Sequence, residues 1–136
     1  MEVDPKNPYL SCVLEASAGS GKTYQLAFRF LYLVAGGADP AKILTITFTK
    51  AAATEMKDRI FTYASKLLSD IEIQKEFEAN LQLFQQKSKC DHYPYIMPQK
   101  VAEYILDKVS ELQILTIDSL FFKWIQKFLY ETLLCE

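Results

Sequence analysis

From Lys22 onward, Ala27, Phe30, Leu31 and Val34 recur at i, i+3, i+4 and i+7. That spacing lines apolar side chains along one face of an α-helix, and Gly36-Gly37 is the punctuation that ends one. The preceding run, Leu10 to Glu15, is short and apolar and leads into Ala16-Ser17-Ala18-Gly19-Ser20-Gly21, which predicts a buried strand entering a small-residue loop. After an Asp39-Pro40 turn, Ile43 to Phe48 is short and rich in β-branched residues and predicts a second strand. Thr49 to Leu68 then places Met56, Ile60, Tyr63 and Leu67 on one helical face, and Asp70 to Gln86 predicts a further helix, acidic on its outer face. Cys90, His92, Pro94 and Pro98 break the pattern and predict a loop over Lys87 to Pro98. Val101, Ile105 and Val109 predict a helix that Pro98 starts. Gln113 to Ile117 predicts a third strand, and from about Ser119 a last helix carries Leu120, Trp124 and Phe128 in register, a stripe that reads as core or as a face against another subdomain. Strands separated by helices predict a parallel sheet with crossovers, the α/β class.

Composition narrows the classes. The chain has 136 residues, half of them hydrophobic, which is enough for one domain with its own core. Lys22, Arg29, Asp39 and Lys42 interrupt the most apolar region, so no membrane span is expected, and the first ten residues carry Glu2 and Asp4 and lack the apolar stretch of a secretory signal. The expected compartment is the cytoplasm. A net charge of -2 excludes a bulk basic nucleic-acid coat, so any nucleic-acid contact is local. Lys50, Lys57, Arg59 and Lys66 are followed by Asp70, Glu72, Glu76 and Glu78, a division that two solvated helix faces account for. Cys12, Cys90 and Cys135 are odd in number and widely spaced, the pattern of reduced thiols and not of a disulfide framework or zinc site.

The candidate chemistry begins at Ala16-Ser-Ala-Gly-Ser-Gly-Lys-Thr23, which lies between a predicted strand and a predicted helix and ends in the G-K-T of a phosphate-binding loop. Ala18, Gly19, Ser20, Gly21, Lys22 and Thr23 are the candidate nucleotide site. Glycines let successive N–H groups turn inward on phosphate oxygens, and the helix adds its N-terminal partial charge. Lys22 is placed to reach the β and γ phosphates of ATP, and the Thr23 hydroxyl to bind Mg2+. Alanine at 16 replaces the usual first glycine, which costs little if that position needs no positive φ. The competing reading is a Gly-Ser turn that happens to precede Lys-Thr. The loop by itself indicates nucleotide binding and leaves the use of the nucleotide open.

Three blocks together are more specific. Glu15-Ala-Ser-Ala-Gly-Ser-Gly-Lys-Thr23 is followed by Ile43-Leu-Thr-Ile-Thr-Phe-Thr-Lys-Ala-Ala-Ala-Thr-Glu-Met-Lys-Asp-Arg-Ile60 and then by Leu115-Thr-Ile-Asp-Ser-Leu-Phe121. This order resembles the N-terminal motor subdomain of the superfamily 1 UvrD/RecB-type DNA helicases, and the first block points to the RecB/AddA branch, where alanine at the first glycine position is at home. The resemblance implies a RecA-like P-loop sheet flanked by helices, with residues 1–136 as a single motor subdomain and a fragment of a larger ATP-dependent DNA helicase of double-strand-break repair. It also implies that Thr47, Phe48 and Thr49, with Thr116, Asp118 and Ser119, line a track for single-stranded DNA. Its further suggested partners are the remaining helicase domains and a second helicase/nuclease subunit.

Other readings stay open beside it. Phe48 at a strand end also fits a core position, and Ile114-Leu-Thr-Ile-Asp118 also fits a Walker B strand with Asp118 on Mg2+, although Ser119 stands where that motif has glutamate. His92 reads as a surface residue without chemistry. No D-E-x-x-D block, no arginines of a second RecA-like domain and no glutamine-bearing adenine motif is recognisable, so this chain alone is expected to hydrolyse ATP negligibly. A small P-loop kinase and a non-catalytic P-loop interaction domain are the alternatives, the first of them short of cations because Arg29 and Arg59 are the only arginines.

Overall fold

The computed structural model describes residues 4–13, 21–87 and 96–133. Ala18, Gly19 and Ser20 of the candidate loop, His92, Cys90, Cys135 and most of the predicted 87–98 loop lie outside the described residues.

Helix α1 runs over Lys22–Ala35 and buries Ala27, Phe30, Leu31 and Val34, the four residues whose spacing predicts it. It ends in a Schellman motif: Ala38 N–H donates to Leu33 O at 3.0 Å and Gly37 N–H to Val34 O at 2.9 Å. Gly37 takes φ 92°, a conformation that costs other L-residues strain. A short 3-10 turn at Pro40–Lys42, capped by Asp39, turns the chain into strand β1, Leu44–Thr47. Helix α2 (Lys50–Ser69) buries Met56, Ile60, Ala64 and Leu67, and Asp70 separates it from helix α3 (Ile71–Lys87). The Asp70 carboxylate accepts from the N–H groups of Glu72 and Ile73 at 3.0 and 3.2 Å, so one residue ends a helix and caps the next. Helix α4 (Pro98–Asp107) starts on its proline, strand β2 covers Gln113–Thr116, and helix α5 follows at once over Ile117–Leu133.

The core lies among α1 to α4, and strand β2 adds Ile114 to it. Tyr32 stacks on Phe77 with ring centroids 4.3 Å apart and meets Phe84 edge-on at 5.2 Å, joining α1 to α3. Burial pushes the Tyr32 phenol far above its usual pKa, so it stays neutral and remains a hydrogen-bond donor at any physiological pH. β1 and β2 pair in parallel, Leu44 opposite Gln113 through Thr47 opposite Thr116, across a helical crossover. The α/β prediction therefore holds as a mixed fold with two parallel strands among the described residues.

Two expectations change, and a third, the reading of the α5 stripe as core or as a face against another subdomain, loses its first alternative. Of the predicted strand Leu10 to Glu15, Leu10–Val13 form no strand and are exposed, Val13 by 90%, while Leu14 and Glu15 lie outside the described residues. The reason is local: backbone carbonyls of the N-terminal segment bond to the Arg29 side chain on α1 and not to a neighbouring strand. Val109 leaves the helical face predicted for it, because α4 stops at Asp107 and Val109 opens a 3-10 turn. On α5 only Leu120 is buried, whereas Trp124 and Phe128 are 57% and 70% exposed. That stripe is a bare apolar face, not core.

Candidate functional site

Lys22, Gln25, Leu26 and Arg29 stand at i, i+3, i+4 and i+7 of α1 and share one helix face. The face turns toward the N-terminal segment, and between the two lies a cleft of about 430 Å3 lined also by Pro5, Ser11 and Cys12. Arg29 holds the segment there. Its guanidinium donates to the carbonyl oxygens of Pro5 at 3.1 Å, Asn7 at 2.5 Å and Leu10 at 2.6 Å, and it approaches Cys12 Sγ at 3.7 Å. A planar fork with several N–H donors suits such a converging set of acceptors, which a lysine could not satisfy in the same geometry. Asn7 is itself buried and its side-chain oxygen accepts from Tyr9 N–H at 3.0 Å, so the segment is ordered by polar contacts.

α1 begins on Gly21, with φ 79°, and Lys22 and Thr23 occupy its first turn. A Cβ added at Gly21 would meet no atom within 4 Å, so the glycine is required by backbone conformation and not by space. Glycine brings no side-chain acceptor to cap the turn, unlike Thr49 at the start of α2. On the opposite face of the helix Tyr24 packs against Phe28 and Tyr63, with centroids at 4.8 and 5.5 Å. Tyr24 thus belongs to the aromatic packing between α1 and α2 and not to the cleft.

The other predicted residues converge at the C-terminal end of the β-ladder. Thr47 and Thr116 are register partners, and the chain leaves both strands into helices, α2 and α5, whose first turns therefore lie at the same sheet end. Much of the hydroxyl chemistry here is structural. Thr47 Oγ1 donates to Thr49 O at 3.0 Å, Thr49 Oγ1 accepts from Ala52 N–H at 3.1 Å and caps α2, and Thr116 Oγ1 accepts from Ser119 N–H at 3.2 Å while donating to Ser119 Oγ at 2.8 Å. The hydroxyl protons left for a ligand are those of Thr49 and Ser119. Phe48 is 87% exposed, which removes the core reading for its ring in this chain. Asp118 is exposed in the first turn of α5 and, as an acceptor-only carboxylate, repels phosphate.

The motif wording gives no role to Gln25, Cys12 or Arg29 in the cleft. A signal for two of them is nevertheless present, since Gln25 and Arg29 follow Lys22 at helical spacing on the face that the core does not use.

Comparison with known proteins matches residues 5–133 to the UvrD/REP helicase N-terminal domain. Similar curated proteins include an ATP-dependent helicase/nuclease subunit from Pediococcus pentosaceus, 44% identical over 72 residues, which is 51% of this chain and 6% of that protein. The protein of the same name from Lactobacillus acidophilus is 43% identical over 48% of this chain and 5% of its own length. That of Clostridium perfringens is 38% identical over 56% of this chain and 6% of its own length. The matched part is thus a small fraction of those relatives. No solved structure matches. With nearly its whole length matched, the chain belongs to the UvrD/REP helicase N-terminal domain family.

Proposed function

We propose that this chain is the nucleotide-binding and single-stranded-DNA-contacting unit of an ATP-dependent DNA helicase of recombinational repair, built on a RecA-like P-loop sheet. The observation that carries the proposal is the meeting of two distant segments at one end of the ladder, Thr47–Thr49 and Thr116–Ser119. Two helix N-termini with free hydroxyl protons on Thr49 and Ser119 suit backbone phosphates, and the exposed Phe48 ring offers a base a stacking surface. Asp118 fits a base amino group better than a phosphate.

Residues 21–23 fit a nucleotide on their own geometry: a left-handed glycine, a lysine and a threonine open α1 beside a cleft of about 430 Å3, within the size range of small-ligand sites. Lys22 holds the β and γ phosphates, and Gly21, with the loop residues Ala18, Gly19 and Ser20, supplies backbone N–H groups. The Thr23 hydroxyl would hold Mg2+, which would supply neutralisation of phosphate charge. The bare apolar face of α5 and the half-exposed Leu44 and Ile46 of β1 support packing against further helicase domains, since parallel strands are ordinarily covered on both faces. Further subunits and a cytoplasmic setting complete the reading; among the described residues no helix is long and apolar enough to cross a membrane.

Calorimetry with Mg·ATP on the protein and on Lys22→Ala tests the nucleotide half. Weak binding lost in the variant, with turnover well below the ~1 per second of an ordinary enzyme, is expected. Equal binding by both proteins contradicts it.

A further inference from the structure

On the side of α1 away from the cleft, Tyr24, Phe28 and Tyr32 recur at four-residue spacing, and on α3 Glu76 and Asn80 stand one turn apart beside Phe77. With Tyr63 and Lys66 of α2 and Lys6 of the N-terminal segment they enclose a second cavity, of about 250 Å3. Phe28 and Tyr63 meet with ring centroids 4.7 Å apart and form an aromatic wall. Tyr32 and Phe77 are buried and lie at the base, whereas Lys66 and Glu76 are exposed and stand at the mouth. Lys66 Nζ is 5.6 Å from the centre of the Tyr63 ring, which keeps the ammonium close to that wall. Among the described residues no ion pair engages Lys6, Lys66 or Glu76, so charges of both signs line an aromatic cavity without being paired to each other.

We propose that this cavity binds an aromatic α-amino acid, with its ring against Phe28 and Tyr63, its carboxylate on Lys6 and Lys66, and its ammonium on Glu76. The inference goes beyond the nucleotide and DNA readings and does not rest on either. Size limits the ligand to one ring. Cavities of about 150 Å3 take up benzene, so about 250 Å3 admits a ring with a short tail and falls below the ~300 Å3 at which drug-sized sites begin. Charge selects the tail. An anion without an ammonium leaves Glu76 facing like charge, and a cation without a carboxylate meets Lys6 and Lys66, whereas a zwitterion pairs with both signs. Burial, and after it the charge of Glu76, raises the pKa of the Tyr24 hydroxyl, which therefore stays protonated at neutral pH as a further donor at this cavity.

The test is a set of NMR titrations of the isotope-labelled protein with L-phenylalanine and with compounds that each lack one of its groups. L-Phenylalanine should give saturable amide shifts centred on Tyr63, Glu76 and Asn80, with a Kd of about 1 mM as suits a ligand of so few atoms. L-Alanine, which lacks the ring, should bind at least about tenfold more weakly, and phenylpropionate and phenethylamine, which lack the ammonium and the carboxylate, roughly two- to fivefold more weakly. Glu76→Gln should weaken L-phenylalanine and spare phenylpropionate, and Lys66→Gln should weaken L-phenylalanine and spare phenethylamine. A loss of structure cannot produce that crossed pattern, and both side chains are exposed. Lys22→Ala should bind L-phenylalanine as the wild type does, whatever it does to nucleotides. No saturable shift, or shifts centred elsewhere, overturns the site. Equal affinity for N-acetyl-L-phenylalaninamide, which carries the ring without either charge, or variants that weaken all the compounds alike, overturns the zwitterion assignment.

Discussion

Thr47 and Thr116 face each other in the last register of the β-ladder, and the Thr47 hydroxyl, 3.4 Å from Leu115 O, lies against the second strand. The pairing brings α2 and α5 to start at one sheet end, and each start is capped by a threonine of a motif that sequence alone reads as a DNA contact.

Thr116→Val should therefore lower stability by about 1 kcal/mol, the usual worth of an N-cap side chain, because Ser119 N–H loses its acceptor. Chemical denaturation measures it. An unchanged midpoint would mean the cap contributes nothing.

Removing Arg29 leaves several carbonyls of the N-terminal segment without their donor. Arg29→Ala should cost roughly 1–3 kcal/mol, and Arg29→Lys should recover little of it, since an ammonium cannot reach acceptors spread over Pro5, Asn7 and Leu10. Hydrogen exchange should show the loss confined first to residues 5–12. Full rescue by lysine would show that charge, not the fork, holds the segment.

Gly21→Ala introduces no clash but forces a β-carbon into φ 79°. A penalty of about 1–2 kcal/mol is expected, with Gly21→Asn milder because asparagine tolerates the left-handed region. Thermal melts of the two variants rank them, and equal melting temperatures would contradict the conformational argument.

Lys108 Nζ lies 3.0 Å from Asp39 Oδ1 and ties the turn after α1 to the end of α4. The hydrogen bond from Lys108, helped by Ala41 N–H, holds the Asp39 carboxyl below its usual pKa. A depressed carboxylate pKa gives stability that is present above the unfolded value, near 3.8, and is lost as pH falls through the folded one. Lys108, raised mainly by the same hydrogen bond, contributes stability that is present below 10.5 and lost as pH rises through its folded pKa. Asp39→Asn should flatten both limbs of the stability profile between these extremes and leave the neutral plateau only slightly lower. An acid limb identical to wild type would contradict a role for Asp39 in acid stability.

The elements themselves are legible in the sequence because Ala27-Phe30-Leu31-Val34 and Met56-Ile60-Leu67 face one shared core. What misleads is apolar character without a partner. Leu10 to Val13 reads as a strand, yet a guanidinium on α1 takes carbonyls of this segment, and periodicity carries no information about a side chain that binds backbone. Trp124 and Phe128 keep helical register with Leu120, but register cannot say whether a face is covered within the chain. The site residues are readable as a set from the motif wording, whereas the division of their hydroxyls between caps and free donors follows only from the pairing of β1 with β2.

The bare face of α5 has a physical consequence. Phe121, Phe122, Trp124, Ile125 and Phe128 are each more than half exposed, more contiguous apolar surface than isolated domains usually tolerate. Light scattering should find concentration-dependent self-association, reduced by Trp124→Glu. A monomer at all concentrations would mean that the face is harmless in water.

On the proposed reading DNA would meet the ladder end and a nucleotide the α1 cleft, whose lining includes none of residues 47–49 and 116–119, so a variant at one should leave the other intact. Fluorescence anisotropy of a labelled oligonucleotide, at one fixed salt concentration, compares the protein with Phe48→Ala and Lys22→Ala. Phe48→Ala should lose about 1–3 kcal/mol of strand affinity, a factor of roughly 5 to 150, and keep its melting temperature, because the ring is exposed. Lys22→Ala, measured without nucleotide, should bind the strand as wild type does. Unchanged binding by Phe48→Ala, or an equal loss in both variants, would contradict the separation of the two sites.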